Sequence, residues 1–161
     1  MATLVVPMAG RSSRYPDLRP KWMLSHPMSN TFMGIAAIQG LNLDFFDKIY
    51  WVTLKEYQEK YQFEQGYLEE LDQVGLKEKS EIVLLDKETS SQSETVYELI
   101  KKKNLEGFIF IKDSDGYYEC ELTDESNQVA YFDLNDMDNI NARSKSYVSL
   151  DHNGVVTNIV E

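Results

Sequence analysis

Apolar positions along the chain switch between two spacings, and the switches predict strands alternating with helices. Residues 3–8 form a compact apolar run with Pro7 near its end, the pattern of a short buried strand. Residues 48–54 repeat it with β-branched and aromatic side chains, and residues 81–85 and 107–112 give a third and a fourth strand. Between them the spacing becomes helical. Asn30 or Thr31 can cap a helix running to about residue 41, with Phe32, Ile35 and Ala36 on its apolar face. Residues 55–74 are charged and aromatic at helical spacing and predict an exposed helix. Ser91 with Glu94 fits a capping box, and Val96, Leu99 and Ile100 give a buried stripe to about residue 103.

After residue 112 the pattern shortens. Residues 117–122, 129–134, 147–150 and 155–160 predict brief strands, the last two joined through a turn at Asp151-His152-Asn153-Gly154. Alternating strands and helices imply a parallel sheet covered on both faces. The predicted class is therefore α/β, a Rossmann-like three-layer sandwich whose mostly parallel sheet becomes partly mixed toward the C-terminus. Residues 1–161 read as a single domain without repeat, low-complexity tract or flexible linker.

Composition narrows the possibilities. A chain of 161 residues with 42% hydrophobic positions can bury a core. Its net charge of −11 argues against a nucleic-acid partner, because phosphate neutralisation needs clustered cations. Arg11, Arg14, Arg19 and Lys21 are the main early concentration of positive charge. Cys120 is the sole cysteine, which excludes an internal disulfide and a cysteine-built zinc site. The apolar run at residues 4–8 is too short for a signal peptide or membrane span, so the expected location is cytoplasmic, with no membrane partner.

Two loops at strand ends carry candidate chemistry, since ligands of open α/β sheets bind beyond the carboxyl ends of the strands. Met8, Ala9, Gly10, Arg11, Ser12, Ser13 and Arg14 follow the first strand. The small Ala-Gly pair lets backbone N–H groups approach phosphate, the serines add hydroxyls, and Arg14 and Lys21 supply charge. By spacing alone, an exposed polar turn explains the loop equally well. It matches neither the Walker loop nor the dinucleotide fingerprint. Asp113 and Asp115 follow the fourth strand in Lys112-Asp113-Ser114-Asp115-Gly116. Carboxylates two residues apart suit Mg2+ held jointly with substrate phosphates, although an Asp/Gly turn has the same composition.

The run Val5-Val6-Pro7-Met8-Ala9-Gly10-Arg11-Ser12-Ser13-Arg14, followed by Arg19-Pro20-Lys21, resembles the signature of the sugar-phosphate nucleotidyltransferases. Thr89-Ser90-Ser91-Gln92-Ser93-Glu94-Thr95-Val96 resembles the family's base-binding segment, and residues 108–115 its strand ending in a metal-binding aspartate. The match is collinear over the chain. It implies a GT-A-like fold and attack of a phosphate monoester on the α-phosphorus of an NTP, CTP or UTP first, with loss of pyrophosphate. It further implies triphosphate binding around Gly10, contact of Arg14 with the β- and γ-phosphates, and Lys21 on the α-phosphate. Asp115 would bind Mg2+ with Asp113 second, and Ser91 and Gln92 would lie near the base. Bacterial capsule or surface-polysaccharide synthesis is the implied setting.

Ser12 stands where the family has its second glycine, and Ser91 replaces the glycine near the base. The family's lysine after a terminal glutamate and its later aspartate would lie beyond Glu161, so a truncated N-terminal portion is expected. Apolar surface exposed by such truncation would favour a homo-oligomer. Two rival readings are a nucleotide-sugar-dependent glycosyltransferase, whose Asp-x-Asp motif Asp113 and Asp115 satisfy, and a catalytically silent nucleotide-binding module. The basic loop favours a triphosphate over a nucleotide-sugar diphosphate. Trp51 reads as core and Trp22 as either core or stacking surface. Lys101–Lys103 read as a solvated helix end. His26 and His152 lack ligand partners at metal spacing. The acidic stretch of Asp133, Asp136 and Asp138 fits either an acceptor pocket or turns.

Overall fold

The computed structural model describes residues 1–10, 18–122, 127–133, 135 and 146–160. Two compact units divide the chain at residues 1–125 and 126–161. In the first, β1 (Ala2–Pro7), β2 (Lys48–Leu54), β3 (Ser80–Leu85) and β4 (Phe108–Ile111) form a sheet in the order β3-β2-β1-β4. Every pairing in it is parallel. Parallel neighbours need crossovers, and the helical segments supply them: α1 (Met33–Ile38), α2 (Lys55–Tyr61), α3 (Glu64–Gln73) and α4 (Gln92–Lys103).

All six residues of β1 and six of the seven in β2 are buried. Side chains alternate between faces along a strand, so this burial means that both faces of the sheet are covered. The α/β sandwich is thus the observed class. The antiparallel component forms a sheet of its own in the second unit, where β5 (Tyr147–Leu150) pairs with β6 (Val156–Val160). Asp151 shapes the turn between them: its Oδ1 accepts from the Asn153 N–H at 2.8 Å and the Val155 N–H at 2.9 Å. Gly154 takes φ +78°, the left-handed region that glycine enters without steric cost.

The helices depart from their predicted bounds for physical reasons. α1 begins later than Asn30 or Thr31 would make it. Asn30 is left-handed at φ 56°, and the Ser29 and Thr31 hydroxyls bond each other at 2.8 Å. The α1 end takes its cap from α3, where Glu70 Oε2 accepts the Phe32 N–H at 2.6 Å. The helix predicted over residues 55–74 is two helices, because Gln62 turns left-handed at φ 50° and closes α2. Gln58 Oε1 then receives the Glu64 N–H at 3.1 Å at the start of α3. This break lets Phe63, Tyr67 and Leu71 enter the core.

Segments 117–122 and 129–133 are not strands; the first makes a single bridge, between Leu41 and Cys120. Gly40 permits that approach, since a Cβ there would lie 2.3 Å from the Tyr118 carbonyl oxygen. Cys120 is half-buried beside it. Asp133 accepts the Asn135 N–H at 2.9 Å, a local turn; Asp136 and Asp138 lie outside the described residues. Among the described residues, no helix is long and apolar enough to cross a membrane.

Candidate functional site

The strand order reverses at β1: the chain runs outward through β2 and β3, then returns to place β4 on the other side of β1. Crevices of open α/β sheets form at such a reversal, beyond the carboxyl ends of the strands. A cleft of about 550 Å3 lies there, within the usual range for small-molecule sites. Its walls include Met8, Ala9 and Gly10 after β1, and Lys21 and Trp22 beyond them. Ser91 and Gln92 at the start of α4 and Asp113 and Asp115 after β4 complete the predicted set. Every predicted site residue that is described therefore lines one cleft. Arg11, Ser12, Ser13 and Arg14 lie outside the described residues.

The loop after β1 is held by its carbonyls. Thr53 Oγ1 donates to the Met8 carbonyl at 3.3 Å, and Tyr57 Oη donates to the Gly10 carbonyl at 3.0 Å. The Met8 N–H continues the ladder to the Val52 carbonyl at 2.7 Å. Beneath the loop, Met8 Sδ receives the hydroxyl of fully buried Tyr67 at 3.7 Å. Burial, with the nearby Glu70 charge, drives the Tyr67 phenol well above its ordinary pKa. Trp22 is buried and edge-on to Phe63 and Tyr67 at 4.8 and 5.7 Å between ring centroids. It therefore belongs to the core as well as the cleft wall. Trp51 is wholly buried, its indole N–H donating to Ser80 Oγ at 3.0 Å.

Opposite, the turn after β4 is built around Lys112. Its N–H extends the ladder to the Val5 carbonyl at 3.0 Å, and its side chain is fully buried. A buried ammonium must be paired and hydrogen-bonded. Lys112 Nζ donates to Asp113 Oδ1 and to the Asp113 and Gly116 carbonyls, and it lies 4.2 Å from the Tyr118 ring centroid. Burial and the Asp113 charge push the Tyr118 phenol up to about 12, so the ring beneath the cation stays neutral. Gly116 lets the Asp113 carboxylate fold over the turn, since a Cβ would sit 2.7 Å from Asp113 Oδ2 and push it aside. Asp113 is thereby drawn into its own turn.

Asp115 faces across the cleft, where its Oδ2 receives Lys21 Nζ at 2.7 Å. At the third wall, Ser91 Oγ accepts the Glu94 N–H at 3.1 Å, as the capping box predicts. The Glu94 carboxylate returns to the N–H and hydroxyl of Ser90, and those hydrogen bonds hold it below the ordinary carboxylate range. Lys101–Lys103 are more than a solvated end: Lys102 Nζ donates to the Leu84 carbonyl at 2.8 Å, and Lys103 pairs with Glu81.

The donors present fit a magnesium ion. Mg2+ is commonly bound by one or two carboxylates, with substrate phosphates and waters completing its oxygen shell. Asp115 and Asp113 offer such oxygens at the cleft wall. Among the described residues, no cluster of three or more His, Cys, Asp or Glu forms a metal cage of its own.

Sequence reasoning missed Thr53, Tyr57 and the central role of Lys112. A lysine ending the apolar strand Phe-Ile-Phe-Ile was the available signal for Lys112. Thr53 and Tyr57 gave none, because their bonds go to backbone atoms distant in sequence.

No protein-family profile matches the chain, and no curated protein matches it. A crystal structure of a nucleoside-diphosphate-sugar pyrophosphorylase from Vibrio cholerae RC9 superposes with a TM-score of 0.59 at 20% identity, covering 98% of this chain and 66% of that one. The two share a fold. This chain thus spans just under two thirds of that protein's length.

Proposed function

We propose that the cleft binds a nucleoside triphosphate and that the chain is the nucleotide-binding part of a magnesium-dependent nucleotidyltransferase. It would transfer a nucleoside monophosphate, from CTP or UTP, to a sugar phosphate or small alcohol phosphate. Bacterial surface-polysaccharide synthesis is the proposed setting. The observation that carries this reading is the Lys21–Asp115 pair, which joins the loop after β1 to the loop after β4 across a cleft at the strand ends.

Charge decides which end of the ligand goes where. At the α4 wall, the Glu94 carboxylate already answers the positive end of the helix, and Glu88 adds a second carboxylate to the lining. An uncharged base suits that wall better than phosphate does. The triphosphate then falls to the Gly10–Lys21 side, where Lys21 supplies a cation. Lys21 and Asp115 are 46% and 39% exposed, so their pairing is worth about 0.2–1 kcal/mol and a ligand can open it.

Opening the pair lets each group meet the ligand. Lys21 turns to the α-phosphate and stabilises charge as the acceptor's monoester oxygen bonds to the α-phosphorus. The bond from the α-phosphorus to the β-bridging oxygen breaks, and pyrophosphate leaves with that electron pair. Arg14 is assigned to the departing phosphates. A magnesium ion held by Asp115, with Asp113 second, would supply charge neutralisation on the phosphoryl oxygens. Lys112 keeps the Asp113–Gly116 turn in place, and the loop after β1 positions the phosphates.

Calorimetric titration of CTP and UTP, each with Mg2+, tests the reading. One nucleotide should bind, and Lys21→Ala and Asp115→Ala should each weaken it by tenfold or more (~1.4 kcal/mol). Binding unaffected by both changes would remove this cleft as the site.

A further inference from the structure

We infer that Thr53 and Tyr57 are positioning residues that make the loop after β1 a phosphate cradle, by turning its carbonyls inward. The inference rests on the triphosphate reading above. A backbone segment bares both N–H donors and C=O acceptors, and an anion site needs the acceptors turned away. In a trans peptide the C=O and the following N–H point in opposite directions. Thr53 Oγ1 draws the Met8 carbonyl toward β2 at 3.3 Å, so the Ala9 N–H of the same peptide points the other way. Tyr57 Oη draws the Gly10 carbonyl toward α2 at 3.0 Å and so turns a second acceptor away from the cleft. Ala9 and Gly10 both line the cleft.

The two donors are themselves fixed. Thr53 is fully buried at the end of β2, and Tyr57 is buried in the first turns of α2, only four residues later. The junction of β2 with α2 therefore holds the neighbouring strand's loop at two carbonyls. Gly10 has open space where a Cβ would stand, and its φ is outside the left-handed region. Neither strain nor crowding at Gly10 thus sets the orientation of its carbonyl; the Tyr57 hydroxyl does.

Tyr57→Phe and Thr53→Val remove each hydroxyl while keeping side-chain shape. Ligand-observed NMR titration, which reads weak binding, should follow CTP, UTP and their nucleosides with Mg2+ for the parent protein and both variants. Each variant should bind the preferred triphosphate about threefold to tenfold more weakly, the worth of one net hydrogen bond, with nucleoside affinity held and the protein still folded. Equal losses for nucleoside and triphosphate, or no loss for either, would overturn the inference. A parent protein that binds no triphosphate would instead overturn the reading beneath it.

Discussion

Single residues at this site do work that their type alone does not announce. Lys112 is fully buried, yet it satisfies its charge on a carboxylate, two carbonyls and an aromatic face. Removing that side chain would take the donor away from the Asp113 and Gly116 carbonyls that close the turn, while the half-exposed Asp113 carboxylate would be left to water. Gly40 is the opposite case, a residue whose value is the absence of a side chain. A Cβ there would fall 2.3 Å from the backbone carbonyl of Tyr118, which has no flexible end to move aside. Gly40→Ala is expected to destabilise the fold by about 1–3 kcal/mol in urea denaturation, the usual cost of overpacking. A variant as stable as the parent would show that the 118–120 segment can lift away freely. Gly40 gave no signal beforehand, and Lys112 gave only its place at the end of an apolar strand. Beyond the adjacent Asp113, their partners are brought in by the β4 turn and by the approach of Cys120 to Leu41.

At the level of elements, the strands were the most readable part. Residues 48–54 were predicted as the observed β2, and the Ser91–Glu94 capping box at α4 formed as its spacing implies. Buried parallel strands are near-continuous apolar runs, so their signal is local. The misses have tertiary causes. Gln62 breaks a helix that charge and aromatic spacing run straight through, and residues 117–122 alternate like a strand but make a single β-bridge, to Leu41. The ties between elements were also hidden. Glu81 on β3 joins Lys103 on α4 and Lys48 on β2. Partial burial pushes its carboxyl up, but hydrogen bonds and charge from Lys103 and Lys48 outweigh it and hold the pKa below the ordinary value. With the folded pKa depressed, this stabilisation is present above the unfolded pKa and is lost as pH falls through the folded one. Because the groups are about one third exposed, Glu81→Gln should cost only about 0.5–1 kcal/mol at neutral pH. That gap should close at roughly pH 2, where both proteins carry a neutral side chain. Denaturation curves showing the same gap at both pH values would assign the effect to packing.

Across the whole molecule, one topological fact organises the site. β4 returns to the far side of β1, and the loops that follow these two strands meet 94 residues apart in sequence through Lys21 and Asp115. The sequence motifs named the loops; the strand order placed them in one cleft with the start of α4. In the proposed account, Lys21 and Asp115 neutralise one another until nucleotide and metal arrive together, so neither ligand should bind well alone. The most direct test is the affinity of CTP and UTP for the parent protein and for Asp115→Asn, each in Mg2+ and in a chelator. The parent should require Mg2+. Asp115→Asn should lose that requirement and, with the Asp115 charge removed from the cleft, bind the nucleotide in chelator at least about threefold more tightly than the parent does. A parent indifferent to Mg2+, or an Asp115→Asn protein that binds no better than the parent in chelator, would contradict the account.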